Sequence, residues 1–152
     1  MKLGKILNAE LNKAIASMGH GDLMIVCDAG YPIPNEVWRI DLAIAPDLPD
    51  LETVLRLINE DFYAEKVGYA AELETYNPPV LAMVKDIFQD REHFTLPADE
   101  VIFNIPKQAK CIVRTGAFNP WGNILLYSGI DAPQWFNKPG TVAPPHYQRR
   151  LK

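Results

Sequence analysis

The sequence has few of the residues on which several kinds of chemistry depend. Its 15 Lys and Arg are outnumbered by 19 Asp and Glu, for a net charge of -4. The only concentrated cations are Arg149, Arg150 and Lys152 at the tail. A nucleic-acid partner is not expected, because phosphate backbones are gripped by basic stripes. No apolar run approaches the roughly 20 residues that cross a bilayer. The opening MKLGKILNAELNK lacks the charged-then-apolar order of a signal peptide. No membrane association is expected, and a cytoplasmic location is. There are two cysteines, Cys27 and Cys111, each inside an apolar run, which suits reduced core thiols better than a disulfide or a zinc pair. The three histidines, His20, His93 and His146, are widely separated and show no metal-ligand spacing, so no metal site is expected. Gly-x-Gly-x-x-Gly and the phosphate-binding P-loop are both missing, which removes the usual nucleotide loops. A serine nucleophile with a dedicated base is not supported either.

What is present suits one domain: 152 residues, 48% of them hydrophobic. Asn8 precedes a helical pattern from Ala9 to Met18, with Gly19 placed to end it in a left-handed conformation. Leu23–Cys27 reads as a strand buried on both faces, closed by the turn Asp28-Ala29-Gly30. Arg39–Ala45 reads as a second strand. Asp50 can cap a helix whose face carries Leu51, Val54, Leu55 and Ile58. Phe62–Leu73 alternates as a strand, and Pro78 and Pro79 open a helix through Phe88. Phe94–Leu96 suits a short strand and Asp99–Phe103 a short helix ended near Pro106. Cys111–Arg114 and Gly122–Tyr127 read as closing strands. Strands interleaved with helices predict a single α/β domain over residues 1–130, a mixed central sheet with helices on both faces. Residues 131–152, rich in proline with Trp135, Phe136 and Tyr147 among them, read as a C-terminal arm whose aromatics dock on something.

Three clusters could carry chemistry. His20 stands between two glycines just past a helix. It is free either to face a cleft and exchange protons near neutrality or to bond the frayed helix end. Asp28 ends an apolar strand, where a carboxylate needs partners; it either binds a ligand or caps the Ala29-Gly30 turn. Trp121 and Asn123 suit one wall of a sugar site, the indole covering an apolar sugar face and the amide bonding hydroxyls; the alternative is a core Trp and a turn Asn.

Taken together, these segments resemble a known family. Gly4 to Pro34, with Met18-Gly19-His20-Gly21-Asp22 and Val26-Cys27-Asp28-Ala29-Gly30-Tyr31-Pro32, is similar to the N-terminal signature of the RbsD/FucU family. Arg39-Ile40-Asp41-Leu42-Ala43, Glu72, Asn77-Pro78, Arg114-Thr115-Gly116 and Trp121-Gly122-Asn123-Ile124-Leu125-Leu126 continue the likeness in order. The resemblance covers roughly residues 1–130. The N-terminal segments lean toward the D-ribose pyranase branch, whereas Gly-His-Gly-Asp and Trp-Gly-Asn lean toward the L-fucose mutarotase branch. It implies an RbsD-like fold and a cofactor-free enzyme that interconverts ring forms or anomers of a free monosaccharide. His20 would be the proton donor, and Asp28, Trp121 and Asn123 would bind substrate. An ungapped alignment back from Arg114 puts Asp99 and Phe103 where pyranases carry a His and a Lys, so Asp99 is the expected substrate contact there. Trp121 replaces their Tyr and lacks its hydroxyl. The resemblance further implies a homo-oligomeric ring, a decamer being one candidate size, with the site at a subunit interface. The replaced polar pair motivates a second reading, a sugar-binding or regulatory protein that kept the pocket without turnover.

Overall fold

The computed structural model describes residues 2–148 and 150–151. Its first helix, α1 (Ala9–Ser17), starts where expected, because the Asn8 side chain accepts from the Leu11 N–H at 2.9 Å. Its end differs from expectation. Met18 closes the helix in an extended conformation, and the left-handed residue is Gly21, φ 86°, not Gly19. The cause is Asp22, whose carboxylate accepts from the Gly19 N–H at 2.7 Å and ties the loop around His20.

The strands are β1 (Leu23–Cys27), β2 (Trp38–Asp41), β3 (Ala64–Ala70), β4 (Glu92–Leu96), β5 (Cys111–Arg114) and β6 (Ile124–Ser128). β2 is shorter than the expected Arg39–Ala45, since the Asp41 carboxylate accepts from the Ala43 N–H at 3.1 Å and turns the chain out of the sheet. β3 likewise stops before Leu73, which opens a single helical turn, α3 (Leu73–Tyr76), and is buried there. α2 (Leu51–Asp61) is capped by Asp50 and buries Leu51, Val54, Leu55 and Ile58, the predicted face. α4 (Pro78–Ile87) accommodates both prolines in its first turn. The expected helix Asp99–Phe103 is a π-helical turn over Glu100–Asn104 that runs into a 3-10 segment, Ile105–Gln108. Pro106 lies within that segment rather than ending it, in a first turn where its missing N–H has no bond to lose.

The six strands form one mixed sheet in the order β2-β5-β1-β6-β3-β4. β6 is antiparallel to both its neighbours, and the other pairs are parallel. Met24, Val26, Val113, Ile124 and Leu126 face α1, α2 and α4 in the larger core. Ile25, Cys27, Ile112 and Leu125 face Tyr31, Val101 and Ile105 on the other side, which the π and 3-10 turns cover. Each such Leu, Ile or Val contributes about 1.5–3 kcal/mol by leaving water. β1 is buried along its whole length, as a near-continuous apolar run between covered faces should be. The carboxyl ends of β1–β5 and the amino end of β6 therefore share one end of the sheet. Beyond β6, α5 (Ala132–Trp135) and α6 (Pro145–Gln148) build a small cluster of Ala132, Ala143 and Tyr147. Among the described residues no helix is long and apolar enough to cross a membrane.

Candidate functional site

The carboxyl end of β1 delivers Asp28 to an open cleft of about 380 Å3, lined with Arg114, Phe118 and Asn119 among others. One Asp28 oxygen accepts from the Gly30 N–H at 2.8 Å, so the carboxylate does close the turn. Its half-buried position pushes its pKa above the ordinary Asp value, while bonds from the Gly30 and Tyr31 N–H groups and the Asn123 amide pull the other way. Asn123 is buried, and its side-chain oxygen accepts from the Asp28 N–H at 3.1 Å. Its acceptor is thus already occupied by the protein. Trp121 sits in the turn before β6 at φ 56° and stacks on Tyr76, centroids 5.1 Å apart. Asn77 bonds the adjoining Pro120 carbonyl at 2.9 Å and holds that turn in place.

Two further contacts stiffen this end. Arg114 donates to the Ala29 carbonyl at 2.9 Å and reaches both Asp41 oxygens, of which Arg39 also engages Oδ2. The Thr115 hydroxyl, fully buried, donates to the Cys27 carbonyl at 2.9 Å. Asp99 lies exposed just past β4, beside Ala98, whose N–H is held by the Glu72 carboxylate at 3.1 Å. The Tyr31 hydroxyl donates to the Val101 carbonyl at 2.5 Å and ties the loop after β1 to the π-helical turn. Asp28, Asp99, Trp121 and Asn123 therefore share one end of the sheet.

His20 does not join them. It precedes β1 and stands at the opposite end, over a separate cleft of about 390 Å3 with Glu65, Lys66, Glu92, Phe94 and Tyr127. The imidazole, half exposed, faces this cleft and does not bond the helix end; its Nε2 lies 3.0 Å from Glu65 Oε2. Gly21 N–H donates to the Ser128 carbonyl at 2.8 Å, and Lys110 grips Asp22 at 2.6 Å, which fixes the loop that carries His20. The Lys110 contact also holds Asp22 below the ordinary carboxylate range. Asp22 is thus a turn former. Sequence reasoning missed Glu65, Tyr147 and Arg150, all near His20: the Tyr147 hydroxyl is 3.4 Å from His20 Nε2 and Arg150 Nη1 is 3.1 Å from Glu65 Oε1. No local pattern links position 20 to 65 or 147, and only the strand order brings them together.

Comparison with known proteins places these features in context. The model of the RbsD / FucU transport protein family matches residues 1–131. A protein of Rubrobacter xylanophilus named D-ribose pyranase 2 is 52% identical over 150 residues, covering 99% of this chain and 97% of its own. D-ribose pyranase 1 of Streptomyces griseus is 47% identical over 151 residues, covering 99% and 100%. The structure of Bacillus subtilis RbsD complexed with D-ribose superposes with a TM-score of 0.81 at 35% identity, covering 86% of this chain and 98% of that one. The first two relatives thus align with the arm as well, whereas the family model ends where the arm begins.

Proposed function

This chain belongs to the RbsD/FucU family, and on that footing we propose that it is a cofactor-independent isomerase interconverting ring forms or anomers of a free monosaccharide, with D-ribose the first candidate. The near-complete match to two relatives named D-ribose pyranase carries this reading. The chemistry is a balanced proton shuttle. A base takes the proton of the anomeric hydroxyl, the bond from the anomeric carbon to the ring oxygen breaks, and the ring oxygen receives a proton; closure by the same or another hydroxyl reverses each step. An imidazole has one nitrogen that accepts a proton and another that donates one, so it serves in both directions. His20 supplies it from an exposed position over a cleft.

The sugar-holding groups are Asp28, Asn123, Trp121 and Asp99. Asp28 faces the cleft with its carboxylate, and Asn123, whose side-chain oxygen accepts from the Asp28 N–H, fixes it there. β1 alone, five residues at roughly 3.3 Å each, separates this group from His20 by about 16 Å. One pentose cannot reach both within a chain. The working site is therefore formed between subunits of a closed homo-oligomer, His20 of one chain meeting Asp28 of its neighbour, with residues 1–130 as the catalytic unit. Two buried free thiols, Cys27 and Cys111, suit the reducing cytoplasm.

Saturation-transfer NMR on the purified chain with D-ribose, L-fucose and other free sugars tests the reading. Exchange between ring forms faster than the spontaneous rate, lost in His20→Ala, is the expected result. Binding with only spontaneous exchange for every sugar would make the chain a sugar-binding or regulatory protein instead.

A further inference from the structure

The arm packs where the proposed acid–base group stands. Both oxygens of Glu65 are engaged, Oε2 by His20 Nε2 at 3.0 Å and Oε1 by Arg150 Nη1 at 3.1 Å. The Tyr147 hydroxyl approaches the same His20 nitrogen at 3.4 Å. Tyr147 is buried, its ring set against Phe136 at 5.5 Å and beneath the Arg150 guanidinium at 5.5 Å. The backbone where the arm leaves β6 is equally committed: a Cβ on Gly129 would fall 2.5 Å from Glu65 Cβ, and the Gly129 N–H donates to the Tyr63 carbonyl at 3.0 Å. Only a glycine lets the chain depart so close to Glu65.

We propose that the arm completes the acid–base half-site, Arg150 holding Glu65 against His20 Nε2 and the Tyr147 hydroxyl accepting from the same Nε2–H, both as positioning residues, so that Nδ1 is the nitrogen exchanging protons with the sugar. A carboxylate accepts and cannot donate, so the nitrogen it faces carries the hydrogen. The imidazole is then locked in one tautomer with the Nδ1 lone pair free. Nδ1 takes the anomeric hydroxyl proton, the imidazolium keeps its other N–H on Glu65, and the same proton passes to the ring oxygen as the ring opens. No oxidant, metal or second acid is required. Lys66 and Glu92, the other charges lining the cleft, are both half exposed and lie 3.4 Å apart as an ion pair.

This inference rests on the isomerase reading, so its test reads the imidazole directly as well as turnover. Nitrogen-resolved NMR of the full chain should show His20 with its hydrogen on Nε2. In the doubly substituted Tyr147→Ala, Arg150→Ala chain the two tautomers should mix, and kcat should fall about tenfold with KM changed less than about twofold. Tyr147→Phe, which keeps the ring in place, should lower kcat about threefold, the size of a weak neutral hydrogen bond, and it decides the matter if the double variant does not fold. A wild-type tautomer with hydrogen on Nδ1, or variants with unchanged tautomer and kcat, overturns the proposal. If the wild type accelerates no sugar, the isomerase reading fails while the tautomer still decides whether the arm sets the imidazole.

Discussion

Asp28 holds two duties that pull against each other. Its carboxylate closes the turn after β1 and stands half-buried at the edge of a cleft, and burial raises its pKa. The folded protein therefore binds the Asp28 proton more tightly than the unfolded chain. Its contribution to stability is fully present below the unfolded value of about 3.8 and is lost as pH rises through the raised folded value. Asp28→Asn keeps an oxygen for the Gly30 N–H and removes the charge. It should melt higher than wild type at pH 7, with the difference shrinking toward pH 4, while sugar exchange is lost. Thermal melts at the two pH values together with the exchange assay check this. The residue was legible in the sequence because a carboxylate directly after Leu23–Cys27 demands partners. Glu65 was not, since nothing around it distinguishes it from a surface residue of an alternating strand.

At the scale of elements, the apolar periodicities foretold α1, α2, α4, β1 and β5, and their caps fell on the expected residues, Asn8 and Asp50. Boundaries shifted where side chains bond the backbone: Asp41 cuts β2 short, and Asp22 rather than a glycine cap shapes the exit from α1. The π-helical turn was beyond reach, because the contacts around it, Tyr31 with Val101 and Glu72 with Ala98, come from distant parts of the chain. Gly116 shows a tighter dependence between elements. A Cβ there would meet the Ala45 and Leu48 carbonyl oxygens at 2.4 and 2.6 Å, both of them backbone atoms that cannot swing aside. Gly116→Ala should cost about 2–3 kcal/mol, seen as a lower urea midpoint at unchanged slope. A wild-type midpoint would show that the loop from Ala45 to Leu48 yields freely.

For the whole molecule, the sequence indicated the family but not the distance between His20 and Asp28. His20 and Asp28 are eight positions apart in the chain. A fully extended, doubly buried β1 makes them ends of a rod. If neighbouring chains share each site, two dead variants should rescue one another. His20→Ala and Asp28→Asn, unfolded together and reassembled in equal amounts, should regain about a quarter of wild-type exchange, since half the chains can lend each group. No recovery on mixing would return both groups to a single chain. The arm fits the same picture, because it packs at the His20 end and leaves the Asp28 end open.

The stiffness of β1 also governs how activity depends on concentration. On the proposed division of the site, each chain would carry an acid–base end and a sugar-holding end, and β1 keeps the two apart. An isolated chain would then hold both halves and no site, and an open stack would waste one half at each terminus. Only closure matches every half with a neighbour's. On dilution, turnover per chain should thus fall with the population of closed assemblies, long before any chain unfolds.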